Sequence, residues 1–116
     1  MRAAVIGLGF GDEGKGMVTS YLSSYYKNPM VVRYSGGHQA GHTVHHNGIN
    51  HTFANFGCGT LHGCPTYWSP YCTVEPVGLI REFSILADKL CEDFDSMKIY
   101  IHNDCPVTTP FDIHHY

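Results

Sequence analysis

The chain opens on a short apolar run, Ala3, Ala4, Val5 and Ile6, that predicts a strand near residues 2–8. A glycine-rich stretch follows. From about 15 to 26, Met17, Val18, Tyr21, Leu22 and Tyr25 recur at helical spacing, and Asn28-Pro29 ends the pattern. Met30, Val31 and Val32 predict a second strand over 30–34, completing a β-α-β unit whose crossover should be right-handed. Thr43 to Phe53 folds about Asn47-Gly48, a dipeptide suited to a type I′ hairpin turn. Residues 55–72 hold glycines, prolines, Tyr67, Trp68 and Tyr71 without clean periodicity and predict no element. Pro76 suits the first turn of a helix running to about Glu92, with Val77, Ile80, Phe83, Ala87 and Leu90 as its buried stripe. A last strand is expected over 97–102. This is an α/β pattern: a mostly parallel sheet, flanking helices and an inserted β-hairpin.

Two glycine clusters stand where the first two predicted strands end. Residues 9–16, Gly-Phe-Gly-Asp-Glu-Gly-Lys-Gly, lie between strand and helix, where unpaired N–H groups and close-approaching glycines suit phosphate. The loop is P-loop-like, but Gly16 stands where that motif needs a hydroxyl for magnesium. Its glycines also match G-x-G-x-x-G, yet the acidic residue that a dinucleotide site wants after the next strand is replaced by Arg33 and Tyr34. Asp12 and Glu13 would repel phosphate unless a cation intervenes or a carboxylate does proton chemistry. The second cluster runs from Tyr34 to Thr43 and carries His38 and His42. Loops at the carboxyl ends of neighbouring parallel strands face one crevice, so a carboxylate, a lysine and two imidazoles are expected to share a site for phosphoryl chemistry.

At these residues the chain resembles the adenylosuccinate synthetase family. The family's opening has Gly-Asp-Glu-Gly-Lys-Gly, then Val-Val-Arg-Tyr and Gly-Gly-His-Asn-Ala-Gly-His-Thr; here these are Gly11–Gly16 and Val31–Thr43, with Gln39 replacing the asparagine. A weaker likeness continues through Asn47-Gly48 and the helix after Pro76 to Cys105-Pro106, Asp112 and His114. The resemblance implies a GTP- and magnesium-dependent ligase that joins inosine monophosphate (IMP) to L-aspartate through a 6-phosphoryl intermediate. By that resemblance Asp12 removes the N1 proton of the purine, and His42 donates a hydrogen bond or proton during phosphoryl transfer. Asp12 and the Gly41 carbonyl hold magnesium. Gly11, Asp12, Glu13, Gly14, Lys15, Gly16, Gly41, His42 and Thr43 contact GTP; Asp12, Glu13, Gly14, Lys15, Gln39, Ala40, Gly41 and His42 line the IMP site.

Other readings of the same residues stay open. Asp12 could bond its own turn, Glu13 could cap the helix, and His38 could be a packed loop histidine. Gln39 keeps an amide but adds a methylene, which changes the pocket's reach. Phe56-Gly57-Cys58-Gly59-Thr60-Leu61 and Pro65-Thr66-Tyr67-Trp68 resemble a viral branch that acts on dGMP and aspartate to give 2-aminoadenylosuccinate. That branch commonly has a smaller residue at the loop aspartate, and Asp12 is retained here. Stacking of Trp68 on a purine is a further possibility.

Size and charge bound these readings. The 116 residues make at most one domain, and family members are much longer, so 1–116 is expected to be the N-terminal nucleotide-binding part of an incomplete sheet. The rivals are a non-catalytic nucleotide-binding fragment or subunit and a dinucleotide-dependent enzyme. A net charge of −3 with seven Lys and Arg residues provides no basic stripe for nucleic acid. The absence of a long apolar run or signal-like start points to a cytoplasmic setting, the host cytoplasm if viral. A homodimer is expected from the family. Five cysteines without a C-x-x-C pair suggest packed, reduced thiols, while His45, His46 and His51 on the hairpin raise a metal site, with only one of the adjacent pair able to join His51.

Overall fold

The computed structural model describes residues 2–9, 14–34, 36, 41–90 and 97–114. Helix α1 spans Lys15–Tyr25, strand β1 Val31–Arg33, β2 His42–His46 and β3 Ile49–Phe53. A 3-10 turn at Thr60–His62 precedes β4, Thr66–Trp68; helix α2 (Pro76–Leu90), β5 (Ile99–Ile101) and the short α3 (Pro110–His114) complete the order. The parallel sheet has the order β1-β4-β5, with Val31 opposite Thr66 and Thr66 opposite Ile99. The hairpin β2-β3 stands apart from it, with His42 opposite Phe53 and His46 opposite Ile49. At its turn Asn47 and Gly48 have φ of 49° and 79°, both in the left-handed region that a type I′ turn requires.

The central strand is β4, which lies in the stretch where periodicity predicts no element. Three residues between Pro65 and Ser69-Pro70 are too few to show an alternation. Their burial settles the matter: Thr66 and Trp68 are fully enclosed. The expected first strand is a correction in the other direction. Residues 2–8 pair with neither sheet, and Leu8 is 95% exposed, so the β-α-β unit with the 30–34 strand is not formed among the described residues. An apolar run supplies strand propensity, but a strand exists only where a neighbour accepts its ladder.

The helix stripes are corrected as well. In α1 the buried residues are Gly16, Ser20 and Ser23, whereas Met17, Val18, Tyr21 and Tyr25 face outward. Small side chains on the inner face let the helix backbone lie close to the hairpin; a large apolar stripe would hold it away. In α2 Leu86 is fully buried, Phe83, Ala87 and Leu90 pack partly, and Val77 and Ile80 are exposed. Between the hairpin and α2 lies a core of Val44, Phe53, Phe56, Cys58, Leu86 and Met97; a second cluster joins Trp68, Cys72, Val74 and Cys105.

Glu82 ties these parts together. Its buried carboxylate accepts backbone N–H groups of Ala54 (3.2 Å), Asn55 (2.9 Å) and Phe56 (3.2 Å), which fixes the chain as it leaves β3. His51 Nε2 lies 3.4 Å from the same carboxylate. Burial alone would raise the Glu82 pKa, but the nearby His51 and the N–H groups of Asn55, Phe56 and Ala54 outweigh it and hold the carboxyl below its ordinary value.

Candidate functional site

Gly14 enters α1 with φ 78° and ψ 24°, and among the described residues no side-chain cap hydrogen bond is made at that end. The first turn holds no acid, so its N–H groups meet no carboxylate from within the turn. Lys15 begins the helix half-buried, and its carbonyl accepts the Thr19 hydroxyl at 2.8 Å. One residue further on, a Cβ added to Gly16 would lie 2.9 Å from His42 Cβ and 3.3 Å from Thr43 O. The end of the first glycine cluster is thus in contact with the end of the second. The contact joins α1 to the hairpin and does not arise from neighbouring parallel strands, since residues 2–8 pair with neither sheet.

His42 sits at the start of β2. Burial lowers its pKa, and the positive charges of Arg33 and Lys15 lower it further, so the imidazole is neutral near pH 7 and presents one N–H donor and one acceptor. Thr43 diverges from it. Successive strand residues point to opposite faces, and the Thr43 hydroxyl meets Thr52 across the hairpin at 2.9 Å on the exposed side. Gly41 is exposed next to His42, and among the described residues a Cβ there would meet Thr52 Cγ2, at 3.1 Å. Gly11, Asp12, Glu13, His38, Gln39 and Ala40 lie outside the described residues.

Several other candidates are placed by the structure in packing roles. Trp68 is fully buried, with its Nε1–H donating to Asn55 O at 2.8 Å, so it has no face for a purine. Arg33 covers it, Cζ 4.7 Å from the ring centroid. The motif that carries Arg33 is legible in the sequence, but no role follows for the residue from spacing alone.

The three hairpin histidines go separate ways. His51 is buried against Glu82, with Nδ1 at 3.0 Å from Lys89 Nζ; His45 hydrogen-bonds Asn50; His46 stacks obliquely on His62 at 4.2 Å. Among the described residues no group of three His, Cys, Asp or Glu side chains could hold a metal ion. Asp112 closes the first turn of α3, accepting the Thr109 N–H and hydroxyl at 2.8 Å each, as a reciprocal cap. Cys58, Cys64, Cys72 and Cys105 are free and buried, as packed thiols should be.

Fold and site together define an α/β protein in which a glycine-entered helix docks on a histidine-bearing hairpin beside the end of a parallel strand. Residues 4–115 match the adenylosuccinate synthetase family, and the chain belongs to it. It is 34% identical over 110 residues to the adenylosuccinate synthetase of Borrelia duttonii, which covers 95% of this chain and 24% of that protein. Against the Thermoplasma acidophilum enzyme the identity is 43% over 84 residues, 72% of this chain and 19% of the relative. The solved structure of fully ligated adenylosuccinate synthetase from Plasmodium falciparum aligns with a TM-score of 0.70 at 28% identity, over 90% of this chain and 23% of that one. The chain therefore spans about a quarter of the length of the relatives it matches.

Proposed function

We propose that the protein carrying this chain is a GTP-dependent ligase of purine nucleotide synthesis that joins IMP to L-aspartate. The observation that supports this most directly is the contact between Gly16 and His42, because it brings the start of the helix and a neutral imidazole together. Phosphate oxygens are received by the amides of Gly14 and Gly16 and by Lys15. Asp12 takes the N1 proton of the purine, which makes the 6-oxygen a nucleophile toward the γ-phosphate. His42 donates a hydrogen bond to the oxygen on which charge develops, and a neutral ring with one N–H is suited to that. The amine of aspartate then displaces phosphate from the 6-position.

The oxygen donors of Asp12 and the exposed Gly41 fit magnesium, a hard cation. When bound, it supplies positive charge against the phosphate oxygens. A second reading, dGMP in place of IMP, is favoured by the segment from Phe56 to Leu61 together with Thr66-Tyr67-Trp68, which resembles the viral branch. In this fold those residues pack the interior: Phe56, Thr60, Thr66 and Trp68 are all buried.

Phosphate release by the protein carrying this chain, measured with GTP, magnesium and aspartate against IMP and dGMP in parallel, tests both readings. Aspartate-dependent release is expected, abolished by Asp12→Asn and severely reduced by His42→Ala. GTP binding without aspartate-dependent release would instead identify a nucleotide-binding module.

A further inference from the structure

Thr52 stands on β3 directly opposite Thr43, and two contacts tie it to the end of the second glycine cluster. Its hydroxyl meets that of Thr43 at 2.9 Å, and either oxygen can be the donor. A Cβ added to Gly41 would lie 3.1 Å from Thr52 Cγ2, so the methyl group lies beside the glycine that leads into His42. Thr43 in turn adjoins the start of α1, since its carbonyl oxygen would lie 3.3 Å from a Cβ on Gly16. Both threonines are exposed. Two exposed hydroxyls gain little from each other in water, because each can bond solvent instead. A bound phosphate changes that balance. Its oxygens only accept hydrogen bonds, so a Thr43 hydroxyl that meets one must donate to it and can then only accept from Thr52. The pair is thereby ordered in one direction, and each bond polarises the next.

We propose that Thr52 is a positioning residue of the nucleotide site: by donating to Thr43 it presents the Thr43 hydroxyl as a donor to a phosphate oxygen. The inference rests on the nucleotide-ligase reading above and on the nucleotide contact that the family resemblance gives Thr43. It adds a residue of β3 that lies outside both glycine clusters. GTP and IMP both offer phosphate oxygens, and their KM values separate the two.

The test measures phosphate release by the protein that carries this chain, with GTP, IMP and L-aspartate varied in turn, in wild type, Thr52→Val and Thr52→Ser. Valine keeps the shape and the strand preference and loses the hydroxyl; serine keeps the hydroxyl with a weaker strand preference. Thr52→Val should raise the KM of one nucleotide, GTP or IMP, by about threefold to tenfold, the range for one neutral hydrogen bond. Its kcat at saturation and its KM for aspartate should stay near wild type, the pattern of a lost binding interaction. Thr52→Ser should restore the nucleotide KM. A purely structural role predicts the opposite order, serine worse than valine, and unfolding midpoints record which variant is the less stable. In a Thr43→Val background, Thr52→Val should raise neither nucleotide KM further, because the hydroxyl it orients is gone. Unchanged KM values for both nucleotides in Thr52→Val, or a loss in Thr52→Ser as large as in Thr52→Val, would overturn the proposal and leave the ligase reading intact. Absence of aspartate-dependent phosphate release by the wild type would overturn the ligase reading and the role of Thr52 with it.

Discussion

Gly16 and His42 are in such close contact that a Cβ on the glycine would lie 2.9 Å from the Cβ of the histidine. The first turn of α1 and the first residue of β2 thus lie together only because one of them has no side chain. Real Cβ atoms do not approach so closely, so helix and hairpin would have to separate.

Gly16→Ala should therefore destabilise the fold by about 1–3 kcal/mol, the usual cost of overpacking, despite the better helix propensity of alanine. Denaturant unfolding measures the loss, and amide shifts from Gly41 to Val44 report whether the hairpin moves. A variant as stable as wild type with unmoved shifts would show that the contact does not constrain the site.

How much of this is legible in the chain differs from element to element. Asn47-Gly48 and Pro76 act locally, so the hairpin and the start of α2 follow from a few residues. Burial direction does not. The apolar spacing in α1 marks a helix, but Ser20 and Ser23 face inward because the segment from Gly59 to Cys64 packs closely against them, a tertiary demand that periodicity does not carry. β4 escapes for the opposite reason: Thr66–Trp68 is central by burial and too short to show a pattern. Within the site, the contact of Gly16 with His42 joins the ends of the two glycine clusters, which are visible in the sequence, but it is made by α1 and the hairpin and not by neighbouring strands. The stacking of Arg33 on Trp68 comes from the register of β1 and β4, which spacing along the chain does not reveal.

Glu82 should anchor stability against acid. With the carboxyl held below its ordinary 4.5, the folded state binds this proton less readily than the unfolded chain. The contribution is complete above that ordinary value and is lost as pH falls through the lower folded value. Glu82→Ala should cost roughly 3–5 kcal/mol near neutrality, because it strands the buried amides of Asn55 and Phe56 and the ring of His51. Urea titrations from pH 7 down to 3 check both parts: the variant should be the weaker protein at pH 7, and the gap should narrow toward pH 3. A gap independent of pH would remove the carboxylate as its cause.

Cys58 should be inert while the chain is folded. Burial pushes its thiol up to about 11, so almost no thiolate is present at pH 8. Burial also raises Cys64 and Cys105. Brief alkylation at pH 8, mapped by peptide mass spectrometry, should leave Cys58 unmodified in the native protein and label it fully in denaturant. Rapid native labelling of Cys58 would contradict its packing beside Val44 and Phe56.

His62 and His46 offer a measurement that separates burial from charge. His62 Nε2 lies 2.9 Å from Ser20 Oγ on α1, and its ring centroid lies 4.2 Å from that of His46 on β2. Burial lowers the His62 pKa below 6.5, and a protonated His46 lowers it further. The unfolded chain therefore takes up this proton first, and the stability linked to His62 is complete above 6.5 and declines as pH falls through its folded value. His46→Asn removes the neighbouring charge and leaves most of the burial in place. In imidazole NMR titrations the His62 midpoint should start below 6.5, rise in His46→Asn, and remain below the midpoint of a fully exposed histidine. A His62 that titrates at the exposed value in the wild type, or that does not respond to His46→Asn, would mean that the ring pair does not persist in solution and that α1 is not fastened to the 3-10 turn through Ser20.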